Sequence, residues 1–474
     1  MPSKNIYLIN TLGRKKELFS PISNGNVGIY HCGPTVYWTQ HIGNLRAVVL
    51  ADTIRRTFEF AGYNVTFVRN YTDVGHLTGD NDGDADTGED RMEKASKREQ
   101  LNPDLIAQKY TLQFDADIAA LNTLPSTVRP KATDHIDEMI DMVSTLLSDG
   151  YAYTTDYAVY FDVSKFEDYN KLSGQKLEMQ EHGKGHGTAH DTNKRNPSDF
   201  ALWIFKAGAY KDALQTWKSP FASPLVEDGI GFPGWHIECS AMSKKYLGNT
   251  FDVHIGGVEH ISIHHTNEIA QSVCANHAPF ATYWLHNEHL LVDNKKMSKS
   301  EGTSFTLEDI TKKGYNPLSL RYFFLQAHYR SKQNFTFDGL EASDTAYRRL
   351  KNIISSLPES GTLIQSYVEE FEKYIYDDFN IPGALGVLWE LTKDEQVSKA
   401  DMRKTALHFD TVLGLSLEKT EMVTIPDDIK ALLEERKTAR MNKDWVTSDK
   451  IRDILLEKGY TVLDSGTEQT VLKK

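Results

Sequence analysis

Three groups of residues have side chains suited to chemistry. The first is His41-Ile42-Gly43-Asn44. A glycine lets a ligand reach the backbone, a helix start offers free N–H groups to an anion, and an imidazole there can bond phosphate oxygens. Taken alone the motif is weak, because a histidine near a helix start commonly serves only as a cap. The second is Lys296-Met297-Ser298-Lys299-Ser300-Glu301-Gly302. Two lysines three apart in a Ser/Gly-rich loop can reach around a polyphosphate and neutralise charge that develops during its transfer. The third is Cys32, Cys239, His264 and Glu268. Two thiols, an imidazole and a carboxylate are a zinc donor set, although no close CxxC pair fixes it by spacing alone. His264 and Glu268, four apart on a predicted helix, project from one face. Most isolated cysteines are buried as small hydrophobes, and Cys274, mid-helix, is read that way.

The elements that must position these groups follow from periodicity. Val27 to Cys32 reads as a short buried strand closed by Gly33-Pro34. From Gly43 to about Phe60 the apolar residues Leu45, Val48, Val49, Ile54 and Phe58 keep a helical period, with Asp52 as the exception, and Ala61-Gly62 stops it. Val65 to Val68 is another strand. Strand, helix, strand is a βαβ unit, which implies a parallel sheet with a right-handed crossover and a ligand beyond the carboxyl ends of the strands. Those ends are Cys32 to His41 and Asn70 to Asp73. Residues 92–150 read as helical, broken at Pro125 and Pro130. From Tyr151 to Val226, short aromatic strands and a polar Gly/His stretch (His182 to His190) indicate an inserted subdomain. The α/β pattern then returns: Phe251 to Ile255 as a strand, Gly256-Gly257 as its turn, Ile263 to Cys274 as a helix, and Leu290 to Val292 as a further strand. Beyond about residue 330 the pattern is helical throughout. Ala346, Leu350, Ile353, Ile354 and Leu357 form one packing stripe, and Ile429, Leu432 and Leu433 begin another. The acidic run Asp80 to Asp90 fails the register of an EF-hand and is read as a solvated loop.

Composition narrows the class. With 474 residues, 53 Lys plus Arg against 66 Asp plus Glu, and three cysteines, the chain is an ordinary globular protein of about three domains. Disorder, collagen, a coiled-coil rod and a disulfide scaffold are excluded. No stretch reaches the ~18 apolar residues of a membrane span, and Met1 to Leu18 lacks the apolar core of a secretory signal, so a cytoplasmic protein with no membrane partner is expected. The net charge of −13 argues mildly against a protein that coats nucleic acid. The tail 425–474 carries equal numbers of basic and acidic side chains and is therefore relatively basic.

The histidine and lysine motifs, each after a strand of one interrupted sheet, resemble the HIGH and KMSKS signatures of class I aminoacyl-tRNA synthetases. Cys32-Gly33-Pro34-Thr35-Val36-Tyr37, Gly234-Trp235-His236-Ile237-Glu238-Cys239-Ser240-Ala241-Met242 and His264 to Gln271 narrow this to a resemblance, over essentially the whole chain, to the cysteinyl-tRNA synthetases. The resemblance implies an α/β fold: a Rossmann-like parallel-sheet catalytic domain with an insertion, then an all-α C-terminal tRNA-binding region. The expected divisions are 1–125 and 231–330 for the two halves of the catalytic domain and 126–230 for the insertion. An anticodon-binding bundle is expected at 331–424 and a small recognition module at 425–474. It also implies a ligase, a monomer, that activates cysteine with ATP and Mg²⁺ and transfers it to the terminal adenosine of its tRNA. By resemblance, one Zn²⁺ per chain is held by Cys32, Cys239, His264 and Glu268, with His265 the competitor for the third place. Thr72 and Trp235 line the cysteine pocket, and Pro34, Thr35, His41, Gly43, Asn44 and Lys299 bind ATP. His41, Lys296 and Lys299 serve the chemistry. Arg440, Trp445, Asp449 and Asp464 fall where splayed anticodon bases could be read. Zinc suits this substrate because serine and cysteine are near-isosteres that an apolar pocket separates poorly, whereas a soft thiolate is a far better ligand than a hydroxyl. Editing is then unnecessary.

The chain departs from that pattern in three places. Asn44 replaces the second histidine of HIGH. Val74-Gly75-His76-Leu77 stands where many relatives have two acids and a lysine. Val258 to Ile263 is also unusual, and its His260 could crowd the metal. The rival functions are a cysteine ligase acting on an amino-sugar thiol precursor, a non-catalytic tRNA-binding or cysteine-sensing protein, and a zinc hydrolase using Glu268. The helices running to the C-terminus argue against the first, and intact His41, Lys296 and Lys299 against the second. Cysteine-dependent pyrophosphate exchange would exclude the third.

Overall fold

The computed structural model describes residues 4–75, 77, 89–174, 191, 193–297, 302–418, 426–465 and 468–473. An antiparallel hairpin, β1 (Tyr7–Asn10) and β2 (Lys15–Leu18), leads into β3 (Asn26–His31), α1 (Ile42–Phe60) and β4 (Asn64–Arg69). β3 and β4 are parallel and in register from Asn26↔Asn64 to His31↔Arg69, as the βαβ pattern requires. The helices α2 (Arg91–Glu99), α3 (Pro103–Ala120) and α4 (Ile136–Ser148) follow. Asn102 and Pro103 start α3 as a side-chain cap and a first-turn proline.

The insertion is an antiparallel sheet in the order β5 (Ala152–Thr154), β6 (Ala158–Phe161), β7 (Phe200–Phe205) and β8 (Gly231–Pro233). Every residue of β7 is buried, which explains its unbroken apolar text. The chain then returns through α5 (Trp235–Leu247), β9 (Phe251–Gly257), α6 (His264–Asn276) and β10 (Ala281–Asn287). The central sheet has the order β10-β9-β3-β4 and is parallel throughout.

Two expectations about the sheets need correcting. Gly256 and Gly257 are not a turn; they are the last residues of β9. Gly256 is glycine because a Cβ there would lie 2.4 Å from the His265 ring. The fourth strand of the central sheet is β10, whereas β11 (Leu290–Val292) belongs to a second small sheet with β12 (Lys295–Lys296) and β13 (Gln333–Phe335). Asp293 and Asn294 both have positive φ between β11 and β12, the geometry of a two-residue hairpin turn.

Helices α7 (Leu307–Lys312), α8 (Pro317–Leu325), α9 (Phe337–Ser355), α10 (Gln365–Ile375), α11 (Ile381–Lys393), α12 (Lys399–Leu413), α13 (Asp427–Met441) and α14 (Trp445–Glu457) make the C-terminal region helical, as expected. It is not all-α, because β13 interrupts it and an antiparallel hairpin, β14 (Tyr460–Ser465) and β15 (Glu468–Lys473), ends it. Thr461, Val462, Thr470 and Val471 in that hairpin are β-branched, which suits a pleated ribbon better than a helix. Leu350 and Ile354 of the α9 stripe are buried, with Ala346, Ile353 and Leu357 packed alongside. The helical region is joined to α1 by a buried ionic node. Asp52 Oδ2 accepts from Arg56 Nε and Arg321 Nη2, each at 2.7 Å, while Arg321 also donates to the carbonyls of Leu121 and Leu413. Among the described residues no helix is long and apolar enough to cross a membrane.

Candidate functional site

From β3 the chain moves one way across the sheet to β4, and from β9 the other way to β10, so the order reverses between β3 and β9. Open α/β sheets bind ligands at such a reversal. Cys32 stands there, one residue past β3, its N–H bonded to Ile255 O of β9 at 3.3 Å. Cys239 comes from α5, one turn after Trp235, and is buried. His264 and Glu268 stand one turn apart on α6, both buried. Their Nε2 and Oε1 atoms are 2.7 Å apart.

One ligand atom from each of Cys32, Cys239, His264 and Glu268 lies within 4.8 Å of every other. A second set, Cys32, His254, His265 and Glu268, meets the same limit. His265 Nε2 is 3.4 Å from Cys32 Sγ, and His254 Nε2 is 2.5 Å from Glu268 Oε2. Both sets have donors that zinc accepts. Only the first uses both thiols, and its electrostatics suit a cation. The Cys32 hydrogen bond, opposed by burial, brings Cys239 down to about 6. Burial and then Cys239 push Cys32 well up. Burial would raise Glu268, but His254 and His264 hold it well below the carboxylate range. Burial also works against charge on His264, yet Glu268 and Cys239 push it up to about 10. Two anions therefore enclose one positive charge, and the residues present fit a divalent metal.

Behind the donors is a layer of imidazoles that the sequence reading found only in part. His236 Nδ1 is 2.9 Å from His264 Nδ1, and His265 Nδ1 is 2.7 Å from His286 Nε2. His286 in turn meets Thr11 Oγ1 at 2.8 Å. His260 packs 5.3 Å from the His264 ring and belongs to neither donor set. Trp235 lies 4.3 Å from His264, ring centroid to centroid. Thr72 is buried, and its hydroxyl donates to Glu238 Oε2 at 2.8 Å. Sequence reasoning did not single out Glu238, a fully buried carboxyl that burial and Cys239 push well above its ordinary range. Its place directly before Cys239 was the available signal. Thr72 is held to the Pro34 and Thr35 segment by two backbone bonds, Thr72 N to Pro34 O at 3.1 Å and Val36 N to Thr72 O at 3.0 Å.

The motifs beginning at His41 and Lys296 also meet. His41 caps α1, and its Nδ1 accepts from Asn44 N at 3.2 Å. The exposed Asn44 side chain donates to Gln40 Oε1. Ile42 N bonds Phe305 O at 2.8 Å across the molecule, and a Cβ on Gly43 would lie 2.2 Å from Met297 Cε. The Met297 side chain thus lies against the helix start, and any Cβ at position 43 would force its tip to move. Lys296 is exposed on β12. Lys299 lies outside the described residues, as do residues 80–88 of the acidic loop and the His182 to His190 stretch.

Far from this site, the Arg440 guanidinium sits 5.8 Å over the Trp445 ring. Trp445 is 55% exposed, although large aromatics are ordinarily covered. Asp449, also exposed, is 3.5 Å from Arg452, and Asp464 pairs with Gln469 in the terminal hairpin. These elements have their own core of Ile429, Ile451, Leu455, Tyr460 and Val462.

Comparison with known proteins agrees with this geometry. A family profile described as the tRNA synthetases class I (C) catalytic domain matches residues 18–345, and one for the cysteinyl-tRNA ligase anticodon binding domain matches 423–471. Cysteine–tRNA ligase 1 of Burkholderia lata is 44% identical, covering 97% of this chain and 95% of that protein. The cysteine–tRNA ligase of Treponema denticola is 38% identical over 99% of this chain and all of that protein (100%). Among solved structures, Mycobacterium tuberculosis methionyl-tRNA synthetase bound by methionyl-adenylate superposes with TM-score 0.54 at 13% identity, covering 89% of this chain and 96% of that one. The Agrobacterium radiobacter K84 LeuRS–tRNA–LeuAMS complex gives 0.56 at 10% identity over 85% and 86%. These distant likenesses establish the class I fold, and the full-length relatives and both profiles establish that the chain belongs to the cysteinyl-tRNA ligase family.

Proposed function

We propose that this chain activates cysteine with ATP to give cysteinyl-adenylate and transfers the cysteinyl group to the 3′-terminal adenosine of its tRNA. The observation that carries this reading is the set of two thiols, an imidazole and a carboxylate within 4.8 Å, one of whose thiols directly follows the strand that precedes the motif beginning at His41. Residues 1–125 and 231–330 would form the catalytic domain and 126–230 its insertion. Residues 331–424 would form the helical bundle and 425–474 the recognition module, in a cytoplasmic monomer.

Cys32, Cys239, His264 and Glu268 would hold one zinc ion per chain, which supplies selective ligation of the substrate thiol. Thr72, fixed by Glu238 and by the Pro34 backbone, and the Trp235 indole would shape the pocket around the amino acid. ATP enters as its Mg²⁺ salt. The cysteine carboxylate attacks the α-phosphorus, forming the acyl–phosphate bond as the bond to pyrophosphate breaks. That carboxylate is already ionised, so no protein base is needed and the enzyme works by positioning and charge stabilisation. Pro34, Thr35, Gly43 and Asn44 frame the nucleotide and His41 bonds its phosphates. Lys296 and Lys299 neutralise the charge that builds up in transfer. The adenosine hydroxyl then attacks the adenylate carbonyl and AMP leaves. Arg440, Trp445, Asp449 and Asp464 would contact the anticodon. The exposed indole beneath a guanidinium supports that role, since unstacked bases bind on such faces.

The test is ATP–pyrophosphate exchange on the purified chain with cysteine or serine, with zinc counted in the same sample. Exchange with cysteine only, at one zinc per chain, is expected. Zinc-loaded protein that binds tRNA without exchange would overturn catalysis and direct attention to Asn44.

A further inference from the structure

The helix that starts at His41 carries another polar side chain, one that the chemistry above does not use. Arg46 lies just over one turn along α1 and is fully buried. Its Nε donates to Gln333 Oε1 at 3.0 Å, and its Nη2 to Ser331 O at 3.1 Å and His328 O at 3.4 Å. Its Nη1 donates to Glu288 O. All four acceptors are neutral oxygens. The Glu288 carboxylate is near enough to favour the charge but accepts none of these bonds. A buried cation hydrogen-bonded to no carboxylate is an expensive way to fill a core position, and an apolar side chain would pack there at lower cost. Burial lowers the guanidinium only to about 10, so it stays charged near neutral pH.

The acceptors share one location. Glu288 leads into β11, Gln333 begins β13, and β13 pairs with β11. β11 also pairs with β12, placing Leu291 opposite Lys296. His328 and Ser331 belong to the turn before β13, which is fixed from its other side. Asp378 accepts there from Tyr329 Oη at 2.8 Å and Arg330 Nε at 2.7 Å. Arg46 therefore binds a rigid base rather than a loose loop. From that base the hairpin runs to Lys296 and to the Met297 that covers Gly43.

We propose that Arg46 is a positioning residue for adenylate formation, a buried fork that fixes the hairpin carrying Lys296 against the helix that starts at His41. The proposal rests on the activity inferred above. Arg46→Lys keeps the charge but cannot span four acceptors in different directions, and Gln333→Met removes one acceptor at similar volume. Both are made in the full chain, with active sites counted by adenylate burst. In Arg46→Lys, the kcat of cysteine-dependent pyrophosphate exchange should fall by roughly 10–100-fold, the cost of ångström-scale misplacement. In Gln333→Met it should fall less. The KM for cysteine, the zinc content and single-turnover transfer from preformed adenylate to tRNA should stay at wild-type values, because those do not need the hairpin. Wild-type exchange kcat in folded Arg46→Lys overturns the proposal, as does equal loss of exchange and transfer. If Arg46→Lys does not fold, Gln333→Met decides in the same way. Absence of exchange in the wild-type chain overturns the activity itself, and the clamp with it.

Discussion

Cys239 is the donor on which the metal assignment turns, because it is the second thiol of the set with His264, and the other set has His254 and His265 in place of those two residues. Cys239→Ser should lower the zinc content and the preference for cysteine over serine together, toward the roughly 100-fold that an apolar pocket manages on near-isosteres. Metal analysis and exchange with each amino acid read both; full zinc retention would remove Cys239 from the site. Lys296 makes a different kind of contribution. It is exposed, so Lys296→Ala should leave the melting temperature unchanged while exchange falls roughly 10²–10³-fold, the loss typical of one charge-stabilising donor. A fall in KM for cysteine without loss of kcat would contradict that role. At this scale the donors were legible because their types are diagnostic and His264 and Glu268 keep helical spacing. The imidazole layer was much less so. His254 and His286 come together only because β9 and β10 are adjacent and parallel, a pairing no local pattern encodes.

Elements were legible wherever a period ran long enough. The βαβ unit from Asn26 to Arg69 has the expected form, while β10, the three-residue β13 and the terminal hairpin were missed, since single apolar runs suit helix and strand alike. The one break in the α1 stripe was itself informative. Asp52 is buried among the apolar residues because Arg56 and Arg321 come to meet it from α1 and α8. Burial pushes its carboxyl up, but the two guanidiniums and the Leu124 N–H outweigh this and hold it below the ordinary range. The unfolded chain therefore takes up the proton first as pH falls. The stability due to this group is complete above about pH 4 and is lost as pH drops through the folded value. Asp52→Asn removes the carboxylate charge that both buried guanidiniums bond and should cost about 3–5 kcal/mol at pH 7 in urea unfolding. At pH 3 the gap from wild type should narrow. A gap that stays constant would mean that Asp52 is not the acid-sensitive group.

At the scale of the whole molecule, the catalytic and recognition chemistry are built on separate cores. Helices α7 to α12 pack with α1 and part of the central sheet in one cluster, and the insertion packs with α4, α5 and α6 in another, whereas Ile429, Ile451, Leu455, Tyr460 and Val462 form a small cluster of their own. The profile for the anticodon domain matches only that last part, residues 423–471. Among the described residues, no hydrogen bond or ion pair of the donor set, the His41 helix start or the Lys296 hairpin reaches residues 426–473. Removing the chain after Thr424 should therefore leave cysteine-dependent pyrophosphate exchange and zinc content near wild-type values while abolishing charging of tRNA. The tRNA would lose the exposed Trp445 face with its overlying Arg440. Trp445→Ala in the full chain should weaken charging through the KM for tRNA by the equivalent of about 1–3 kcal/mol, the worth of one stacked base. Exchange and aminoacylation measured on the same preparations separate the outcomes. Equal loss of both after truncation would mean that the module supports the catalytic fold, and intact charging would place the anticodon contacts elsewhere.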